Sequence, residues 1–272
     1  MREAGSWCVT ALKELAIAAV AGATLSCGCA MLAAPSIAIA APLDAILQRG
    51  RLVVAVKDNL YPLGYRDRDG TLQGFEIAIA KRLAQDWLGS EQAVVLQPVS
   101  NAERLTAVAS GTVDLAIANI TLTQNRTRAV NFSDPYYRNG TGILTQSPRW
   151  NSLQALYRQT VAVLEPSVTL PYLKSALPKA RLTGVRSYAA GQQLLEADRV
   201  RAMVGDRIVL FGLARQNPRY QFFSTQLTVQ PLAIAFPKGM QYEPLRDRLN
   251  NTLRQWQREG WLDAQRQTWA LP

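Results

Sequence analysis

The 272 residues of this chain include no histidine, so any catalytic or ligand-binding group must be of another residue type. The cysteines are few and lie together at the amino-terminal end, at Cys8, Cys27 and Cys29. The rest of the chain therefore has no thiol nucleophile, no disulfide and no cysteine metal site. Catalysis by Ser-His-Asp or Cys-His groups is excluded, and so are most zinc sites. We expect neither a metal nor a cofactor.

The charge balance of the chain is basic, with 30 Lys and Arg against 20 Asp and Glu, a net charge of +10. A basic surface attracts anions such as nucleic acids, acidic lipids or acidic small molecules. The basic residues are scattered, and no basic stripe with interleaved aromatic residues occurs, so no nucleic-acid partner is expected. The hydrophobic content of 48% and charged content of 18% indicate a globular body.

An apolar, alanine-rich stretch covers residues 15–40 and follows two basic residues. A basic start, an apolar stretch and a small-residue ending are typical of a secretory signal, and cleavage after Ala40 fits the rule. Two alternatives stay open, namely lipidation at Cys27 or Cys29 and retention of the stretch as a membrane anchor. We predict that residues 1–40 are a signal peptide and that the protein is exported to the periplasm.

Two series of strands and helices follow this amino-terminal segment. The first series combines β-branched runs, a turn and amphipathic patterns: strand 51–56, turn 67–70, helix 75–88, strand 93–97, helix 102–109 and strand 113–120. The second series has the same character: strand 160–164, helix 167–176, helix 189–196, strand 202–205, helix 208–215 and strand 232–236. One or two amphipathic helices cover residues 243–269, and residues 136–142 form a crossing between the series. This alternation predicts an α/β fold with parallel neighbouring strands.

Four blocks of the chain resemble the extracellular amino-acid-binding proteins of ABC importers, family 3 of the extracellular solute-binding proteins. They are GFEIAIAKRLAQDWL at 74–88, GTVDLAIANITLTQNRTRAVNFSDPYY at 111–137, AIAFPKG at 233–239, and a Leu-rich helix followed by Gly-Trp-Leu near the carboxyl end. In the first block Ala78 replaces a second acid that the family usually has. The resemblance runs from about Leu43 to the end of the chain.

The resemblance implies a type II periplasmic binding protein fold, an α/β fold of two lobes joined by two hinge crossings. We place the crossings near Tyr136–Gly140 and Thr228–Leu232. The first lobe is then discontinuous and comprises residues 43–138 plus 232–272, and the second lobe comprises residues 139–231. A ligand is expected in the cleft between the lobes.

The resemblance also implies which residues hold the α-carboxylate of an amino acid. Arg126 matches the arginine that grips it, Thr121 matches a hydroxyl that adds a hydrogen bond, and Asn119 stands where a backbone N–H helps. The chemistry agrees, because a guanidinium offers paired planar donors that fit a carboxylate. The alternative is that Arg126 is a solvated arginine beside Arg128.

From the second lobe, Asp206 matches the carboxylate that takes the α-ammonium group. An alternative role for Asp206 is to cap the helix that follows it. Ser167 and Val168 stand where the family offers a hydroxyl and a backbone N–H to the ligand carboxylate. Ser167 is also a plausible cap for its own helix.

Three further positions usually line the pocket for the ligand side chain in the family, namely Lys57, Leu60 and Asn101, and Arg104 follows three residues later. Leu60 and Asn101 replace the aromatic residues that are common there. Lys57 and Arg104 fall where glutamate- and aspartate-binding members place cations, unless both face solvent. Two cations favour a second carboxylate, so we expect glutamate or aspartate first and glutamine next.

The function implied by the resemblance is that of the periplasmic substrate-binding component of an amino-acid ABC importer, not an enzyme. Its partners would be a free amino acid and the permease subunits in the cytoplasmic membrane, and the protein would work as a monomer. One alternative is an enzyme similar to cyclohexadienyl dehydratases, with Glu165 as the nearest candidate acid. Another is a sensory ligand-binding module tethered by residues 15–40.

Overall fold

The computed structural model describes residues 42–272, apart from the side chains of residues 225–228. The predicted signal peptide, its cleavage site and the three cysteines lie outside the described residues. Within residues 42–272, no helix is long and apolar enough to cross a membrane.

The predicted alternation of strands and helices is found along residues 42–272. The α-helices are α1 (Leu43–Arg49), α2 (Phe75–Leu88), α3 (Glu103–Ala109), α4 (Thr169–Ala176), α5 (Tyr188–Glu196), α6 (Arg207–Gln216), α7 (Glu243–Arg258) and α8 (Trp261–Thr268). The strands are β1 (Leu52–Val56), β2 (Asn59–Leu60), β3 (Gly64–Arg66), β4 (Leu72–Gln73), β5 (Val94–Pro98), β6 (Leu115–Ile117), β7 (Asn131–Thr145), β8 (Thr160–Leu164), β9 (Arg181–Val185), β10 (Ala202–Asp206) and β11 (Gln221–Phe236).

Eight of these strands form one mixed sheet in the order β5-β1-β6-β11-β7-β10-β8-β9. Strand β1 pairs in parallel with β5 and β6, and β8 pairs in parallel with β9 and β10. The predicted parallel neighbours are therefore present in both series. We call the part built around β5, β1 and β6 the first lobe, and the part built around β10, β8 and β9 the second lobe.

The two lobes share the long antiparallel strands β7 and β11. The first half of β7 pairs with the last residues of β11, from Leu232↔Tyr137 to Phe236↔Asn131. The second half of β7 pairs with the first residues of β11, up to Gln230↔Asn139. Both predicted crossings therefore coincide with the middle of these two strands. The lobe limits at 138 and 231 remain a prediction, because the pairing runs through both points.

Helix α2 has the limits that the sequence predicts, and glycines at both ends explain why. Gly74 precedes it with φ 132°, and a Cβ there would lie 2.2 Å from the carbonyl oxygen of Leu63. Gly89 ends it in the left-handed conformation at φ 79°, where its N–H bonds to the carbonyl oxygen of Gln85. Only glycine adopts such angles without strain.

Several elements differ from the sequence predictions. The helix predicted from Ser167 begins at Thr169, although the Ser167 hydroxyl still accepts a hydrogen bond from the Leu170 N–H at 3.3 Å. The strand predicted at 232–236 is the end of the much longer β11, and the crossing at 136–142 lies inside β7. Helix α1 and strand β9 were not predicted.

The core follows the apolar faces of both lobes and of the carboxyl-terminal helices. Trp256 of α7, Phe75 of α2 and Phe236 of β11 are among the largest fully buried side chains. Leu245 and Leu249 are also fully buried, as the helical spacing predicts. Helix α7 shares an apolar cluster with Val54 of β1 and α3 shares another with Val53, so the two helices pack on opposite faces of this strand.

Candidate functional site

The candidate site is built where one strand of each lobe ends. Strand β6 ends at Ile117, and the loop that follows carries Asn119, Thr121 and Arg126. Thr121 is held by a single antiparallel bridge to Leu232 of β11. On the other lobe, Asp206 is the last residue of β10. Loops at strand ends are the usual place for a ligand in α/β folds.

Asp206 directs its carboxylate to the first lobe and does not cap its own helix. Its Oδ2 accepts hydrogen bonds of 2.8 Å from the Asn119 side-chain amide and from the Tyr188 hydroxyl. Helix α6 has no side-chain cap bond from Asp206, and the Asn139 amide oxygen accepts from the Ile208 N–H at 3.2 Å instead. The alternative role of Asp206 as a helix cap is therefore not found.

Arg126 is partly buried at the same place, and it is not the freely solvated arginine of the alternative interpretation. Its Nη1 donates to the Thr121 carbonyl oxygen at 2.9 Å. Burial lowers the pKa of Arg126 to about 10, nearby Arg104 acts in the same direction, and Asp206 opposes both. The charge of Asp206 thus acts on Arg126. The ion pairs found within 4 Å in residues 42–272 do not include one between these two residues.

The backbone of Asn119 is fixed within the first lobe. It adopts the left-handed conformation at φ 52°, which is uncommon for a residue with a side chain. Its N–H donates to Glu76 Oε1 at 2.8 Å, and its carbonyl oxygen accepts from Arg104 at 2.6 Å. The backbone N–H that we expected to help bind a ligand is therefore already engaged. The side-chain amide faces Asp206 instead.

Glu76 is the main residue of the site that the sequence analysis missed. Its carboxyl group is fully buried and accepts hydrogen bonds from the Tyr136 hydroxyl and the Asn119 N–H. Burial raises its pKa to about 7, and these two hydrogen bonds, with Arg104 and Lys57, oppose the shift. A glutamate between Phe75 and Ile77, inside an apolar helix start, was the one signal that could have pointed to it.

Lys57 and Arg104 are buried, with 3% and 4% of their surfaces exposed, so neither faces solvent. Lys57 Nζ donates to the Val99 carbonyl oxygen at 2.7 Å. Arg104 Nη1 donates to the carbonyl oxygens of Ala118 at 2.8 Å and of Asn119 at 2.6 Å. Loss of water lowers the pKa of both groups. Both cations therefore have backbone oxygens as partners, and only Arg104 is shown in contact with the loop of residues 118–126.

The remaining predicted residues lie in separate elements of the fold. Leu60 is buried in the core of the first lobe. Val168 occupies the amino-terminal end of α4, next to Ser167. Asn101 lies in the loop between β5 and α3. No group of three or more acidic or cysteine side chains that could hold a metal ion is present in the described part of the chain.

A sequence model of the bacterial extracellular solute-binding proteins, family 3, matches residues 52–272. The protein belongs to this family. The glutamine-binding protein of Geobacillus stearothermophilus is 30% identical over 199 residues, 72% of this chain and 76% of that protein. The cyclohexadienyl dehydratase of Pseudomonas aeruginosa is 33% identical over 145 residues, 52% of this chain and 53% of that protein.

Among solved structures, a solute receptor for L-cysteine from Neisseria gonorrhoeae superposes on this solute-binding protein with a TM-score of 0.76. Its sequence is 29% identical, and the match covers 84% of this chain and 93% of that chain. The predicted fold class, a two-lobed type II periplasmic binding protein fold, is confirmed by this similarity.

The two cavities with the largest volumes given for residues 42–272 are large enough for a small molecule. One of about 500 Å³ opens between the lobes and is lined by residues 100–102, 165–166 and 184–186, so it includes the predicted ligand residue Asn101. Another of about 600 Å³ lies between β7, the start of α6 and the carboxyl-terminal helices. Its lining includes none of the ten predicted ligand residues.

Proposed function

We propose that the protein is the substrate-binding component of an amino-acid ABC importer, and that it captures a free polar amino acid in the periplasm. The observation that supports this most strongly is the pair of opposite charges at the cleft. Arg126 comes from the first lobe and Asp206 from the second, and the two groups do not close on each other. A zwitterion that bridges them satisfies both charges at once.

The chemistry of each end of the ligand follows from the donors and acceptors present. The α-carboxylate binds the Arg126 guanidinium and the Thr121 hydroxyl, with Ser167 and Val168 completing the contact from the second lobe. The α-ammonium binds Asp206, and the Asn119 amide oxygen, which is buried without a partner, accepts from it as well. Charge-assisted bonds that need both lobes shift the protein towards the closed form, which the permease subunits then recognise.

The ligand side chain is not restricted to an acid in this proposal. The preference for glutamate or aspartate depended on Lys57 and Arg104 reaching into the pocket. Both cations instead donate to backbone carbonyl oxygens of the first lobe. Their charges still disfavour a basic side chain, so polar neutral and acidic amino acids, glutamine included, are the candidates.

Calorimetric titration of the purified monomer with the twenty amino acids tests the proposal. We expect a polar amino acid to bind, and we expect Arg126→Gln and Asp206→Asn each to weaken binding about 100-fold, since each leaves one charge of the zwitterion unpaired. Arg128→Gln is the matched control, because Arg128 is an exposed arginine two residues away. If no amino acid binds, or if Arg128→Gln weakens binding as much as Arg126→Gln, the proposal is wrong.

A second candidate function is suggested by the similarity to a cyclohexadienyl dehydratase. Glu165 lines the cleft cavity and is close in sequence to Ser167, so an acid is available beside the ligand site. Incubation with prephenate and arogenate distinguishes the two functions. A binding protein leaves both compounds unchanged, whereas turnover that is lost in Glu165→Gln would favour the enzyme.

A further inference from the structure

The cavity of about 500 Å³ between the lobes carries two charges that the ligand site described above does not use. Glu165 follows β8 and Arg186 follows β9, and these strands pair in parallel up to Leu164↔Val185. Because parallel strands end at the same edge of a sheet, the two charged residues emerge side by side from the second lobe. The Glu165 N–H is fixed by a 2.8 Å bond to the Val185 carbonyl oxygen.

The backbone leaves room for the carboxylate of Glu165 over β9. Gly184 lies under it, and a Cβ at that position would come within 2.1 Å of Glu165 Oε2. Any larger residue at 184 would therefore displace the carboxylate. This glycine has an ordinary backbone conformation, since it is not among the residues with positive φ.

Neither charge has an opposite partner in the described part of the chain. The ion pairs of residues 42–272 include no pair with Glu165 or Arg186, although the two residues line the same cavity. Both residues are exposed, so each charge faces the open cavity and solvent. An acid and a base that share a cavity without closing on each other leave both groups open to a ligand.

The chain connects the cavity to residues that we predict for the first zwitterion site. Residue 166 lines it and directly precedes Ser167, and the predicted ligand residue Asn101 forms its wall on the first lobe. A side chain that leaves a zwitterion held at Arg126 and Asp206 can therefore extend into it. The cavity volume of about 500 Å³ lies within the range of small-molecule pockets. A short polar side chain would fill only part of this volume.

We propose, on the basis of the function proposed above, that the ligand side chain ends in a second head, meaning a second pair of α-ammonium and α-carboxylate groups. The carboxylate of that head binds Arg186 and its ammonium group binds Glu165. The substrate class is thus a two-headed amino acid, in which two α-amino-acid groups are joined by a short linker such as a disulfide, a thioether or methylene groups.

Calorimetric titrations of the protein with L-cystine, meso-2,6-diaminopimelate and L-glutamine test this inference. We expect at least one of the two-headed probes to bind at least tenfold more tightly than glutamine. Glu165→Gln and Arg186→Gln should each reduce this ratio of affinities about tenfold, because a charge-assisted bond to one head is lost. Arg181→Gln is the control, since Arg181 is an exposed arginine at the opposite end of β9, and it should leave the ratio unchanged.

The results separate this inference from the function on which it depends. If glutamine or another single-headed amino acid binds as tightly as both two-headed probes, the inference is overturned and the proposed function stands. The same holds if Glu165→Gln and Arg186→Gln leave the ratio unchanged. If no amino acid of either kind binds, the proposed function fails together with the inference.

Discussion

The buried carboxyl group of Glu76 leads to a prediction about how stability depends on pH. One carboxyl oxygen accepts two hydrogen bonds, but Oε2 is buried without a partner. The charged form therefore loses water that the protein does not replace, and the pKa rises from 4.5 to about 7. The cations nearest to it, Arg104 and Lys57, lower the pKa but do not cancel the effect of burial.

The sign of the effect follows from the two pKa values. Between them, the native protein keeps the Glu76 proton while the unfolded chain has lost it. Stability from this group is therefore fully present below pH 4.5 and is lost as the pH rises through about 7. Between pH 5 and pH 8 the contribution of Glu76 to the free energy of unfolding falls by about 2.5 kcal/mol.

Glu76→Gln removes this titration and leaves the rest of the chain as it is. Urea denaturation at pH 5, 6, 7 and 8 gives the free energy of unfolding of the wild type and of the variant. The free energy of unfolding of the variant minus that of the wild type should increase by about 2.5 kcal/mol from pH 5 to pH 8. This increase does not depend on how much the substitution itself stabilises or destabilises the protein at any one pH. Glu91→Gln, at an exposed position, is the control and should show no such gain. A difference that stays constant over this range, or that changes in the opposite direction, would refute the reasoning.

Two further predictions concern stability and use urea denaturation at one pH. Gly74→Ala should cost at least about 2 kcal/mol more than Gly70→Ala, because both glycines have positive φ but only Gly74 would place a Cβ against a carbonyl oxygen. Equal losses of stability in the two variants would show that the positive φ alone determines the cost and that the contact with the carbonyl oxygen adds nothing. Asp114→Ala should cost about 3 kcal/mol, because the buried carboxylate accepts from the Val53 N–H at 2.8 Å and pairs with Arg49. A cost as small as that of Asp69→Ala at an exposed turn would contradict this role.

Most of the helices could be predicted from the sequence because their signals are local. Helix α2 has apolar residues at helical spacing and a glycine at each end, and both limits were predicted. Strand β7 was not recognised, because Gly140 and Gly142 indicate a loop by their type. The structure explains Gly142 by packing, since a Cβ there would lie 2.4 Å from Phe222 Cε2 of β11. That contact joins residues 80 positions apart, so no local pattern reveals it.

Sequence comparison identified residues that the structure brings together, but it did not predict which groups contact each other. Asp206 and Asn119 do meet across the cleft, 87 positions apart in sequence. The resemblance identified both positions, but it did not show that the Asn119 N–H is engaged by Glu76. Buried charges are the part that sequence patterns predict worst. Glu76, Lys57 and Arg104 have the residue types of a surface, and only the tertiary structure surrounds them with partners.

Asn139 links the middle of β7 to helix α6 and to the carboxylate of Asp206. Asn139 lies in the middle of β7, where the chain passes between the lobes. Its amide oxygen caps α6 through the Ile208 N–H, and its amide nitrogen lies 3.5 Å from Asp206 Oδ1. Because Asn139 satisfies the end of the helix, the carboxylate of Asp206 remains available for the cleft. We infer that a change in the direction of β7 would alter the orientation of Asp206 through this side chain, and so would couple the predicted hinge to the proposed ligand site.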